Sequence, residues 1–200
     1  RKFNITVVAL TEPRSPVPEL VSRLLSLGVP TQNLVILSDA DPTLVPRLAY
    51  CIRKLQPSLV HTHLVHADLY GAIAARLAGV PMVISSRHND DPFRRSGLVS
   101  RLVRLANRQL DHFLVISDHL RAFTVNVEGV PRDQVTTVRY GMQSSDMDVV
   151  PDIRRIFHLG SGLVVACVAR LMPQKGHRVL LAAFRSVVRI YPDAQLLLLG

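Results

Sequence analysis

Two hundred residues, 48% apolar and 20% charged, are room for one full domain or two small ones, and they exclude disorder, because disordered chains are poor in apolar residues and rich in charge. Ten Gly and thirteen Pro without period exclude collagen-like and coiled-coil architectures. The net charge of +9, from 24 Lys+Arg against 15 Asp+Glu, is nearly all arginine, since only Lys2, Lys54 and Lys175 are lysines; genomic base composition alone can produce such an excess, which weakens it as a pointer to nucleic acid.

In chain order, Ile5–Leu10 is a short two-sided apolar run and predicts a strand buried on both faces. Pro18–Leu27 has helical spacing (Leu20, Val21, Leu24, Leu25) and Gly28 to end it. Leu34–Leu37 predicts a strand and Pro42–Leu55 a helix with Leu44, Val45, Leu48 and Ile52 on one stripe. Next come strand Leu59–His63, helix Asp68–Ala78 ended by Gly79, strand Met82–Ser86 and helix Gly97–Leu110. Phe113–Ile116 predicts a strand, Asp118–Val127 a helix with Ser117 as N-cap, and Val135–Arg139 a strand.

Strands alternating with helices mean βαβ crossovers and a parallel sheet. Turn-rich Gln143–Pro151 breaks the rhythm, so a linker is expected over 143–152 between a domain at 1–142 and the start of another at 153–200. There Ile153–Phe157 predicts a short helix, Leu163–Val168 a strand, Gly176–Tyr191 an amphipathic helix (Leu180, Leu181, Phe184, Val188, Tyr191) and Ala194–Leu199 a strand. The fold class is α/β: two Rossmann-like parallel-sheet domains, the second truncated. Both chain ends read as cut, Arg1 standing directly ahead of a strand and Gly200 directly after one.

Cys51 and Cys167 lie far apart in apolar segments and form neither a disulfide framework nor a metal pair, so a reducing, cytoplasmic setting is the default. No apolar run reaches the ~18 residues of a membrane span, and no signal peptide is visible.

In open α/β sheets, ligands bind beyond the carboxyl ends of the strands. The polar residues there are His63 and His66; Arg87, His88 and Asn89; Ser117; Tyr140 and Gly141; and Arg170 to Lys175. Arg170-Leu-Met-Pro-Gln-Lys175-Gly176-His177 is the most distinctive: a strand delivers Arg170, a Pro turn follows, and Lys175-Gly176 opens a helix. Two cations beside a helix N-terminus suit a diphosphate, although a basic loop can also be merely solvated. His61, His63 and His66 raise a metal reading, but Val65 stands where the metallo-β-lactamase motif has an Asp, and further ligands cannot be placed; no metal is assigned. His88 could hydrogen-bond a sugar hydroxyl or stabilise developing charge, or be an ordinary loop histidine. Helix 97–110 carries Arg101, Arg104 and Arg108 on one face and Leu98, Leu102 and Leu105 on another. Such a helix either lies on an anionic membrane or packs its leucines into a core. No nucleophile elbow, Walker loop or dinucleotide fingerprint occurs.

Val60-His-Thr-His-Leu-Val-His-Ala-Asp68, Ala75-Arg-Leu-Ala-Gly-Val-Pro81, the strand ending at His88, and Val115-Ile-Ser117 through Gly141 resemble the N-terminal domain of glycosyltransferase family 4. Val168-Ala-Arg-Leu-Met-Pro-Gln-Lys-Gly-His177, with Leu180-Leu-Ala-Ala-Phe184 and Pro192-Asp-Ala194, is similar to the opening of its C-terminal domain. The resemblance implies a GT-B fold and retaining, metal-independent transfer of a sugar from a nucleotide-sugar to a glycan, lipid or small-molecule acceptor. It implies Arg170 and Lys175 at the donor diphosphate, His88 near the reacting sugar, and His63, His66 and Gly141 on the acceptor side or cleft. Arg139-Tyr140-Gly141 departs from the family's Pro-Asn-Gly turn. The family's first strand with its Gly-rich loop, and its paired glutamates, have no counterpart in these 200 residues, so a fragment inactive alone is expected. A nucleotide-sugar epimerase of the same architecture is the competing enzyme, and a basic module for anionic lipid or nucleic acid the competing class. Nucleic acid is disfavoured by the lack of an aromatic-interleaved basic patch.

Overall fold

Short apolar runs alternating with amphipathic helices give parallel strand pairing throughout the computed structural model, which describes residues 3–13, 18–38, 40–91, 94–95, 97–141 and 151–200. The chain divides into two compact units, Arg1–Met142 and Gln143–Gly200. Of the expected linker, 143–150 lies outside the described residues.

The first unit runs β1 (Val7–Thr11), α1 (Pro18–Ser26), β2 (Thr31–Val35), α2 (Leu44–Leu55), β3 (Leu59–His63), α3 (Leu64–His66), a π turn (Ala67–Gly71), α4 (Ala72–Leu77), β4 (Met82–Arg87), α5 (Gly97–Asn107), β5 (His112–Val115), α6 (Asp118–Asn126) and β6 (Val135–Thr137). β1 pairs with β2, and β3-β4-β5-β6 form a second sheet in that order. One core serves both: Ile36, Leu44, Leu48 and Ile52 join Ala75, Val83, Phe113 and Val115, with Val8, Leu10 and Leu34 packed against them.

β2 lies earlier than the hydrophobic pattern predicts. Pairing with β1 begins at Thr31 opposite Val7, and the polar Asn33 is accommodated because its side-chain oxygen accepts from Thr11 Oγ1 at 2.7 Å. Leu37, expected inside the strand, is exposed. α2 starts at Leu44 rather than Pro42 because Asp41 organises the turn before it: its carboxylate accepts from Leu37 N–H at 3.1 Å and Thr43 N–H at 2.9 Å. Ser117 caps α6 as expected, its hydroxyl accepting from Leu120 N–H.

α5 departs most from expectation. It ends at Asn107, and its buried face is Ser100, Val103, Ala106 and Asn107. Leu98, Leu102 and Leu105, the face a core-packed reading would bury, are exposed.

The second unit contains α7 (Ile153–Ile156), β7 (Val164–Val168), a 3-10 turn (Pro173–Lys175), α8 (His177–Ile190) and β8 (Gln195–Leu199). β7 and β8 pair in parallel, Val164 opposite Gln195 through Val168 opposite Leu199. None of residues 151–200 is buried, as expected where two strands and one long helix have few partners.

Candidate functional site

Register decides which side chains meet at the ends of β3 and β4. The strands pair in parallel with His61 opposite Ile84 and His63 opposite Ser86. Strand side chains alternate between faces, so His61 and His63 share a face with Ser86 and, one step beyond β4, His88. Thr62, Ser85 and Arg87 share the other.

On the first face the polar groups connect. His61 Nε2 lies 2.8 Å from Ser86 Oγ, and His63 Nδ1 lies 3.0 Å from His88 Nε2. The His61 and His63 rings are 4.2 Å apart, and those of His63 and His88 stack at 5.3 Å. Tyr140, following β6, completes the chain through its hydroxyl at His88 Nδ1. A nitrogen–nitrogen hydrogen bond holds one proton, because two facing N–H groups cannot bond. While it persists, the His63–His88 pair therefore carries at most one positive charge. Crowding by surrounding protein lowers the pKa of both His61 and His63, their histidine neighbours lower it further, and Asp68 opposes. His61 and His63 are thereby held toward the neutral imidazole form, able to give or accept a proton.

A backbone feature aims His63. Leu64 adopts φ +70°, a left-handed conformation that costs a non-glycine residue about 1–2 kcal/mol. It turns the chain from extended geometry at His63 into α3 within one residue. The π turn follows immediately, and such turns are frequent at functional sites.

The other face of β4 is a buried ion network. Arg87, 1% exposed, donates to Asp68, to Glu128 at 3.2 Å and to Asn107 at 2.7 Å. Asp68 also accepts from Thr62 Oγ1 at 2.7 Å and Ser85 Oγ at 2.6 Å. Arg94 reaches Glu128 at 3.3 Å. Two arginines and two carboxylates balance in charge, which makes their burial tolerable. Arg87 was grouped by sequence with the polar strand-end residues facing a ligand; the structure corrects this, because odd-numbered β4 residues point inward.

His66 sets its ring parallel to that of Tyr70 at 6.4 Å. Gly141 follows Tyr140 and is exposed. Among the described residues, no group of three His, Cys, Asp or Glu is placed to hold a metal ion. The contribution of Tyr140 was not legible, since three residues after β6 can point many ways. The meeting of His63 with His88 was legible in principle from the register of two adjacent parallel strands.

In the second unit the Arg170–His177 turn is tightly tied. Ala169 N–H donates to Leu199 O at 2.8 Å, continuing the β7 ladder, and Met172 N–H to Arg170 O at 2.7 Å. His177 Nε2 lies 2.9 Å from the same Arg170 carbonyl, so the first residue of α8 fixes the backbone that carries Arg170. Gly176 has φ +69°, a conformation glycine adopts without steric cost, and its carbonyl accepts from Val179 and Leu180. Arg170 and Lys175 are both exposed, on a turn feeding the N-terminus of a fourteen-residue helix. Two cations beside a helix N-terminus favour an anion at that turn.

No curated protein matches the sequence. Among solved structures, HepE of Anabaena in complex with UDP and glucose matches with a TM-score of 0.73 at 20% identity, over 95% of this chain and 52% of that one. A glycosyltransferase from Rickettsia africae matches at 0.60 and 10% identity, over 98% and 69%. UDP-GlcNAc 2-epimerase from Methanocaldococcus jannaschii matches at 0.60 and 13%, over 96% and 56%. The chain thus spans about half the length of HepE and of the epimerase, and at such identities the likeness is one of fold: α/β with parallel sheets, as in GT-B glycosyltransferases. Residues 1–141 match the model of the glycosyl transferase 4-like domain, and the chain belongs to that family.

Proposed function

We propose that the chain is part of a retaining glycosyltransferase that moves a sugar from a nucleotide-sugar donor to a glycan, lipid or small-molecule acceptor. The observation that carries this reading is the family match over residues 1–141. HepE, which shares the fold, binds UDP-glucose, which favours a uridine diphosphate sugar as the donor class. In this reading Arg170 and Lys175 hold the diphosphate and take up negative charge as the bond from the anomeric carbon to phosphate oxygen breaks. His88 lies by the donor sugar, hydrogen-bonded to Tyr140 and His63, while His63, His66 and Gly141 border the acceptor. The cations stabilise the leaving group, so the reading includes no metal. Free Cys51 and Cys167 accord with a cytoplasmic setting.

The test is Lys175→Ala and Arg170→Ala in the full-length transferase. Each is expected to lower kcat/KM by about two orders of magnitude or more, and an unchanged kcat/KM refutes the diphosphate role. Since the chain spans about half of HepE, transfer by these 200 residues alone is not expected, and detecting it would overturn that part of the reading. The likeness to a UDP-GlcNAc 2-epimerase supports a second reading. Product analysis separates them: a transferase releases nucleoside diphosphate and forms a glycoside, whereas an epimerase inverts one sugar carbon and needs no acceptor.

A further inference from the structure

Helix α5 leaves in water the apolar stripe that its sequence would place in a core. Leu98, Leu102 and Leu105 are 72%, 46% and 52% exposed, while Ser100, Val103, Ala106 and Asn107 are buried. At about 100° per residue the three leucines fall within roughly 60° of one another, on the side opposite Val103 and Asn107. Arg101, Arg104 and Arg108, all exposed, flank the stripe on one side, and α5 contains no acidic residue. Arg104 donates to Ser100 Oγ at 3.1 Å, and among the described residues none of the three arginines is in an ion pair.

The charge pattern selects what covers this face. A second copy packed antiparallel about a two-fold axis would set the three arginines beside their equivalents, where like charges are strongly disfavoured, and one packed parallel would offer them no acidic residue of α5 to meet. A partner surface must instead be negative and accept aliphatic side chains together with basic ones. An anionic bilayer does both: leucines enter the headgroup–acyl boundary, and guanidinium groups reach lipid phosphates at the same depth. α5 is 11 residues long, too short to cross a bilayer, so the contact it makes is peripheral.

We propose that α5 docks the protein on an anionic lipid bilayer, lying in the headgroup plane with Leu98, Leu102 and Leu105 inserted and Arg101, Arg104 and Arg108 on lipid phosphates. This surface does not depend on the transferase reading, and its test involves no nucleotide-sugar. The 200-residue chain is floated with vesicles of phosphatidylcholine alone and of phosphatidylcholine mixed with phosphatidylglycerol. It is expected to bind only the mixed vesicles. The R101Q/R104Q/R108Q variant is expected to lose on the order of a hundredfold in partitioning, and L102Q/L105Q to lose binding with unchanged circular dichroism. Leu98→Gln, at the most exposed of the three leucines, serves as a second apolar variant. The control is R178Q/R185Q/R189Q on α8, which removes the same formal charge from exposed positions elsewhere and is expected to retain binding. The proposal is overturned if the two arginine triples weaken binding equally, since diffuse attraction of a +9 chain would then suffice. Equal binding to neutral vesicles or absence of binding overturns it too. So does a dimer in light scattering that L102Q/L105Q dissociates without any vesicle binding.

Discussion

Arg87 and His88 are adjacent in sequence and belong to opposite faces of the sheet: Arg87 is sealed among Asp68, Glu128 and Asn107, while His88 bonds His63 and Tyr140. Two polar residues at one strand end thus divide into an internal brace and an accessible titratable group. The brace stands directly behind the histidines, since Thr62 and Ser85, which bind Asp68, alternate with His61, His63 and Ser86.

Arg87→Ala is expected to destabilise the first unit by about 3–5 kcal/mol, because removing one partner strands buried Asp68 and Glu128 charges. Arg87→Lys should recover only part of this, since an ammonium cannot span three acceptors as a planar guanidinium does. Denaturant unfolding measures both. An Arg87→Ala variant of wild-type stability would mean that Arg87 faces solvent or a ligand after all.

Burial and neighbouring histidines hold the pKa of His61 and His63 below the ordinary value, so the unfolded chain binds their protons more readily than the folded one. The linked stability is present in full above the unfolded value of about 6.5 and is lost as pH falls through the lowered folded values. The unfolding midpoint should therefore drop between neutral and mildly acidic pH, and His63→Gln should flatten that drop. A further loss belongs to lower pH: burial pushes the Asp111 carboxyl up, but Val83 N–H and Arg76 outweigh it and hold it below the usual range, so its contribution fades only as it protonates. A midpoint that rises on acidification from neutral would contradict the histidine assignment.

Leu64 offers a test of backbone strain. Its side chain is exposed, so little packing is lost on truncation, while φ +70° is a conformation glycine adopts freely. Leu64→Gly should raise stability by about 0.5–1 kcal/mol, the relief of left-handed strain less the entropy cost of glycine. Thermal unfolding reads the sign, and a destabilised variant would show that Leu64 makes contacts worth more than the strain.

The parallel α/β class was legible from period alone, because βαβ alternation admits few other solutions. Boundaries failed where a polar side chain overrode the apolar pattern: Asn33 entered β2 through Thr11, and Asp41 delayed α2. For α5 the leucine and arginine faces were visible as stripes, but only tertiary packing buries Ser100, Val103, Ala106 and Asn107 instead of the leucines. His63 and His88 were singled out separately, from strand-end position and family resemblance; their contact required the β3–β4 register. The brace formed by Asp68 and Glu128 was not legible, because their partners come from four separate segments: Thr62 on β3, Ser85 and Arg87 on β4, Arg94, and Asn107 on α5.

Tyr140 should act on His88 without supporting the fold. With its hydroxyl as donor, His88 Nδ1 accepts, His88 Nε2–H donates to His63 Nδ1, and both rings take the Nε2–H tautomer. Tyr140→Phe removes the donor while keeping the exposed ring, so stability should change by no more than about 0.5 kcal/mol. The His88 imidazole, freed at Nδ1, should exchange between tautomers. Nitrogen-15 spectra of labelled histidine read this directly: the His88 Nδ1 signal should leave the position of a hydrogen-bonded acceptor, and that of His61, which bonds Ser86 instead, should stay. Unmoved His88 signals would mean that the Tyr140–His88 bond does not form in solution. A large loss of stability would make Tyr140 a structural residue rather than a positioning one.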